Sequence, residues 1–310
     1  MIVALAGGVG GAKLAAGLAR VLPPEELVIA VNTGDDFEHL GLHVSPDLDT
    51  VMYTLAGIAN PETGWGRADE TWSFMEALAR LGGPTWFRLG DRDLATNVER
   101  TRRLRAGETL SAVTRDFCAR LGVRHAVVPM SDDPVRTVVH TDRGALEFQH
   151  YFVRDRCEPR VRGLEYRGAE AARPSAALHA ALGRSDLAGI LFCPSNPYLS
   201  IAPILAVPGV RDAIAGRAVA VSPIIAGRAV KGPAAKMMDE LGMAPSALEV
   251  ARFYRGVIRA LVIDRADAAL AAPIEALGLR AVQEDTLMAV DADRERLGRS
   301  CLAVLEQVRG

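Results

Sequence analysis

MIVALAGGVGGAKLAAGLARVL, residues 1–22, decides the fold. Ile2 to Ala6 is an apolar run long enough for one buried strand. Gly7, Gly8, Gly10 and Gly11 follow, and Lys13, Leu14, Leu18 and Val21 then repeat at helical spacing. A strand, a glycine-rich turn and a helix in that order form an anion site. Glycines let a ligand approach the backbone, and the helix start directs unsatisfied N–H groups and a partial positive charge at it. The turn completes neither of two familiar patterns. Ala12 stands where a P-loop has its second glycine, and Lys13 takes the third glycine position of the dinucleotide fingerprint. Tight strand-to-helix packing alone would also explain such a turn.

Outward from this stretch, the chain keeps an α/β rhythm. Strands are predicted at Leu27–Val31, 125–129, Leu187–Cys193, Ala218–Val221, Val257–Asp264 and Leu279–Val282. Helical spacing runs through Phe74 to Leu81, from the 91–97 string through Arg103, over 108–122 and over Asp291–Val308. This pattern predicts a doubly wound, mostly parallel Rossmann-like sheet in one domain over 1–310. Val135–His140 and Ala145–Tyr151 alternate around Thr141-Asp142-Arg143-Gly144, a hairpin signature. Residues 135–175 therefore read as an inserted, smaller substrate-covering region, with 154–173 a lid or a surface excursion.

Composition narrows the function classes. Apolar residues make up 49% of the 310, charged residues 24%, and the net charge of −2 gives no basic field for a nucleic acid polymer or an anionic membrane. Cys118, Cys157, Cys193 and Cys301 are widely separated, which argues against a zinc cage or disulfide framework and suits a reducing cytoplasm. Pro194, Pro197, Pro203 and Pro208 interrupt the second apolar stretch, so it is not a membrane span. A soluble, cytoplasmic protein with a phosphorylated small-molecule ligand is expected.

Polar strings at the strand ends carry the candidate chemistry. Asn32-Thr33-Gly34-Asp35-Asp36 follows the second strand, where acidic groups meet a ribose or a metal. In Ser45-Pro46-Asp47-Leu48-Asp49-Thr50, Asp49 or Thr50 is a candidate cap for the next helix. Asp47 and Asp49 would share a side if the segment is extended, which suits magnesium held jointly with a ligand phosphate. Trp65 between Gly64 and Gly66 is suited to covering a flat ring. In Arg88-Leu89-Gly90-Asp91-Arg92-Asp93, arginine forks suit phosphate, and the carboxylates orient them or bind metal. The turn Pro194-Ser195-Asn196-Pro197 and the loop containing Arg228 and Lys231 close further strands.

Taken together these strings resemble the 2-phospho-L-lactate transferases of coenzyme F-420 biosynthesis. The matching motifs are GGVGGAK (7–13), NTGDD (32–36), SPDLDTVMYTL (45–55), LGDRDLATN (89–97) and MSDDPV (130–135). FCPSNPYLSIAPILAVPG (192–209), VSPIIAGRAVKGPAAKMM (221–238) and a looser EDTLM (284–288) continue the series. The resemblance implies transfer of a phospholactyl-type group, or its phosphoenolpyruvyl or phosphoglyceryl counterpart, from a guanosine diphosphate conjugate to the ribityl hydroxyl of the deazaflavin Fo. GMP would leave, and magnesium would be required. It implies that Gly8, Gly10, Gly11 and Lys13, with Pro194, Ser195 and Asn196, hold the guanosine phosphates. Asp49 and Arg88 would lie on the Fo side near Asp91 and Arg92, with Asp35 and Lys231 as further binding candidates and Asp47 and Asp49 as metal candidates. The expected catalytic set is Asp49, Asp91 and Arg92, in a homodimer. A related family of sugar-nucleotide-binding regulators shares the glycine-rich turn and is the alternative without catalysis.

Overall fold

The computed structural model describes residues 1–229 and 233–309. Seven strands build the central sheet: β1 (Ile2–Ala6), β2 (Leu27–Val31), β3 (Ala126–Pro129), β4 (Gly189–Phe192), β5 (Ala218–Val221), β6 (Ile258–Asp264) and β7 (Arg280–Glu284). Their order is 3-2-1-4-5-6-7, and every neighbouring pair is parallel. The alternation along β1 shows why such a sheet needs two covers. Val3 and Leu5 join the apolar core on one face, and Ile2, Ala4 and Ala6 join the core on the other.

Helix α1 (Gly8–Val21) follows β1 directly, burying Leu14 and Leu18. It packs closely on the closing helix Asp291–Val308 because a Cβ at Gly17 would run into the Arg294 carbonyl. The chain leaves β1 toward β2 on one side and meets β4 on the other, so the strand order reverses between β1 and β4. That switch point opens a crevice at the carboxyl ends of the strands.

Helix α2 (Pro46–Leu55) starts one turn earlier than a cap at Asp49 would place it. Ser45 is the N-cap and Pro46 the first helical residue, where proline's missing N–H costs nothing. Asp47 and Asp49 therefore sit in a helical first turn, not on one side of an extended segment. Helices α3 (Ser73–Arg80) and α4 (Asp91–Arg105) follow the predicted spacing.

The insertion between β3 and β4 holds a three-stranded antiparallel sheet. The hairpin Arg136–Thr141 and Gly144–Glu147 forms as predicted, and Val161–Arg167 pairs with its first strand. The arginine-rich stretch is thus partly sheet. Val139, Phe148, Tyr151 and Val161 pack with Leu199 and Met237, which fixes the insertion over the crevice.

Candidate active site

A cavity of about 600 Å³ occupies the switch point. Its floor is made by loops that leave successive strands: Gly7, Gly8 and Gly10 after β1, Asp35 after β2, Pro194 to Asn196 after β4, Ser222 and Pro223 after β5, and Thr286 to Met288 after β7. Five separate strand ends converge there, each carrying short loops because the parallel sheet brings its carboxyl edges together.

The glycine turn meets its neighbours through the backbone. Gly8 has φ of +63° and donates its N–H to Asp47 Oδ1 at 2.6 Å, while Gly7 N–H donates to Ser195 Oγ at 3.1 Å. A Cβ at Gly10 would overlap the Pro194 carbonyl. One at Gly11 would press on Ser195 and Ala6, so Gly11 serves packing and does not line the cavity. Lys13 does line it, with Nζ donating to the Met288 carbonyl at 2.9 Å. Asn196 accepts from the N–H groups of Tyr198 and Leu199, while its Nδ2 is buried without a partner among the described residues. An orphaned donor beside a helix start is a fitting place for a nucleotide's oxygens.

Carboxylates gather on the side of α2. The Asn32 amide nitrogen donates to Asp47 Oδ2 at 3.0 Å, to Asp35 Oδ1 at 3.3 Å and to the Leu199 carbonyl at 3.1 Å. Burial, reinforced by Asp47 and Asp36, holds the Asp35 carboxyl well above the usual carboxylate range. Burial also pushes Asp47 up to about 6, against the pull of its bonds to Asn32 and Gly8. Asp36 instead meets His43 Nε2 at 3.0 Å and the Ser45 hydroxyl at 2.9 Å. Two carboxylates sharing one amide nitrogen make a site short of positive charge, which fits a divalent cation completed by ligand phosphates. Among the described residues no three His, Cys, Asp or Glu side chains converge as a metal cage. Asp47 and Asp49 do not point the same way: Asp49 forms a buried ion pair with Arg100 of α4. Arg100 Nη1 also donates to Asn97 Oδ1 at 2.9 Å, so the guanidinium is fixed from two sides.

The 86–93 string divides. Arg88 lines the cavity, with its guanidinium 4.0 Å from the Trp72 ring centroid in a cation–π contact. Asp91 and Arg92 do not line it. Asp91 accepts from the Thr71 hydroxyl at 2.5 Å and from Ser73 and Phe74 N–H at 3.1 Å, so it ties down the start of α3. Arg92 is exposed, and its backbone N–H is held by Glu70. The reason is helical phase. With α4 starting at Asp91, positions 93, 97 and 100 share the inward face, and Asp93 is the one that reaches the cavity. Asp93 accepts from the Tyr53 hydroxyl at 2.8 Å, and burial together with Asp49 pushes its carboxyl up to about 7. The stripe Asp93, Asn97, Arg100 was readable as three polar residues at helical spacing.

Aromatic side chains line the mouth. Trp65, 48% exposed, lies between Gly64 and Gly66, both at positive φ. Trp86 and Phe87 line another wall, and Phe148 and Phe152 stack at 5.3 Å with 8° between their planes. The last pair comes from the insertion, and nothing in its spacing marked it as site lining. Lys231 lies outside the described residues.

The fold and the cavity define an α/β protein with a switch-point site that combines a glycine-lined helix start, buried carboxylates and aromatic walls. The chain belongs to the 2-phospho-L-lactate transferase CofD family, which it matches over residues 2–307. It is 45% identical over 318 residues to a phosphoenolpyruvate transferase of Streptomyces griseus, covering 99% of both chains. It is also 41% identical over 315 residues to a 2-phospho-L-lactate transferase of Methanopyrus kandleri, covering 100% of this chain and 99% of that one. A crystal structure of a UPF0052 family member from Bacillus halodurans shares the fold, with a TM-score of 0.61, 14% identity and 97% and 98% of the two chains covered. Among the described residues no helix is long and apolar enough to cross a membrane.

Proposed function

We propose that this transferase moves a phosphoenolpyruvyl group from a guanosine diphosphate conjugate to the ribityl hydroxyl of the deazaflavin Fo, releasing GMP, in coenzyme F-420 biosynthesis. The observation that carries the reading is the single cavity in which the α1 start, the Asp35–Asp47 pair and Arg88 face aromatic walls. Support for phosphoenolpyruvate over phospholactate comes from the relatives' names: the 45% identical one is called a phosphoenolpyruvate transferase, the 41% identical one a 2-phospho-L-lactate transferase.

In this reading Gly8, Gly10 and Lys13 meet the diphosphate, and Ser195 and Asn196 close over it. Asp47, with Asp35, would hold magnesium, which when bound would supply positive charge against the phosphates. Arg88, steadied by Trp72, and Asp49, steadied by Arg100, lie toward the acceptor. The aromatic walls take its ring. Asp91 and Arg92 support α3 and α4 from outside.

The test is turnover with purified protein, Fo, magnesium and each of three guanylylated acids, following GMP and the deazaflavin product. Product that requires both Fo and magnesium, best with the phosphoenolpyruvyl donor, is expected. No product with any donor, beside tight binding of a uridine diphosphate sugar, favours a regulator without catalysis.

A further inference from the structure

We propose that Asp93 is the catalytic residue that takes the proton from the attacking hydroxyl, with Tyr53 holding its carboxylate in place. The inference rests on the transferase reading above and adds a role to it.

Asp93 lines the cavity at the first turn of α4, and Tyr53 of α2, buried and also on the cavity lining, donates its hydroxyl to Oδ1 at 2.8 Å. The backbone N–H of Asp93 is fixed by Glu70 Oε1 at 2.8 Å. The first bond holds Oδ1 and the second holds the backbone; among the described residues no side-chain or backbone donor is seen on Oδ2, and Asp93 lines the cavity. A carboxylate with one oxygen anchored and the other open to ligand is suited to accepting a hydroxyl's proton.

The neighbouring carboxylate is differently placed. Asp49 is matched by Arg100, a group that stays protonated, and so carries a compensated charge. Among the described residues Asp93 makes no ion pair; the charged and titratable groups facing it are Asp49 and Tyr53 from α2, Arg100 from α4 and Glu70 from the loop before α3. Environments that separate two nearby carboxylates assign them different jobs. Burial and Asp49 bring Asp93 to about 7, where a base is half available near neutrality and strong enough to help. The step balances simply. The acceptor oxygen forms its bond to the phosphorus bearing the acid, the bridge to GMP breaks with the electron pair leaving on GMP, and the hydroxyl proton passes to Asp93 Oδ2 and then to water.

The experiment measures kcat and KM against pH for wild type, Asp93→Asn and Tyr53→Phe, with circular dichroism to check folding. Asp93→Asn is expected to lower kcat by about 10²-fold or more with KM for both substrates within a few-fold, and to abolish the acidic limb of log kcat. Tyr53→Phe removes a bond that favours the ionised carboxylate, so it should move that limb to higher pH and lower kcat several-fold, less than Asp93→Asn does. A carboxyl-carbon NMR titration of the ligand-free protein gives a readout that does not depend on turnover, with one signal near 7 missing in Asp93→Asn. An Asp93→Asn enzyme that keeps the acidic limb, or loses only KM, overturns the role. Wild type that turns over none of the donors overturns the transferase reading instead, and the NMR signal still reports on Asp93.

Discussion

Replacing Arg100 with methionine tests the electrostatic design of the site. The Arg100 and Asp49 side chains are 2% and 9% exposed, so each meets the other's charge in place of water. Methionine fills much of the volume, leaves Asp49 as an uncompensated buried charge, and deprives Asn97 Oδ1 of its donor. Breaking one partner out of a buried pair costs about 3–5 kcal/mol. With an unfolding entropy of about 2.1 cal/mol/K per residue over 310 residues, that is a fall in Tm of about 5–8 °C. The sign of the pH dependence follows. Burial already raises the Asp49 carboxyl and Arg100 restrains it, so removing Arg100 raises the folded pKa further. The folded variant then holds a proton that the unfolded chain has lost, and stability relative to wild type falls as pH rises from about 4 through the raised value. Urea titrations at pH 5 and 8 should show the larger deficit at pH 8, and Asp49→Asn in the Arg100→Met background should recover part of it. A deficit under about 1 kcal/mol at pH 8, or strict additivity in the double-mutant cycle, would refute the account of a buried, ionised pair.

Asp47→Asn should stabilise the ligand-free protein by about 2–3 kcal/mol at pH 8 while impairing turnover. The folded carboxyl, at about 6, keeps its proton longer than the unfolded one, so wild type loses stability from this group between about pH 4 and 6; equal stabilities at pH 8 by urea titration would contradict this. Gly10→Ala should weaken guanosine nucleotide binding at least tenfold in calorimetry, because its methyl must displace the Pro194 carbonyl; unchanged binding would place the phosphates elsewhere. Trp72→Ala should raise KM for Fo several-fold with kcat little changed, since Arg88 loses the ring that steadies it; an effect on the donor's KM alone would reassign Arg88. Chelating magnesium should abolish turnover while leaving the circular dichroism unchanged, because the carboxylates are also held by Asn32 and the Gly8 N–H; full activity in chelator would remove the cation from the proposal.

Most of the fold was legible in the residues themselves. Parallel strands buried on both faces appear as continuous apolar runs, and six of the seven strands of the central sheet lie on such runs, while the edge strand β7, Arg280–Glu284, is partly exposed and extends two residues past its predicted end. The glycine turn was equally readable, since Gly8 at positive φ and Gly10 against Pro194 leave little room for any other residue. Segments decided by long-range contacts were less readable. Val161–Arg167 carries arginine and glutamate on its exposed side and becomes a strand because the hairpin offers it an edge, something no local pattern encodes.

The same division holds for the site. By itself the sequence determined which strings are chemically unusual and that they end strands, because composition and spacing are local properties. Only the tertiary structure decided which member of each string faces the cavity. Starting α2 at Pro46 sends Asp47 to Gly8 and Asn32 but Asp49 to Arg100. Starting α4 at Asp91 turns Asp91 and Arg92 outward and Asp93 inward. A helix advances about 100° per residue, so a boundary misplaced by one residue reassigns every role along it, and the Asp49–Arg100 pair and the Tyr53–Asp93 hydrogen bond form between α2 and α4 only in the phase observed.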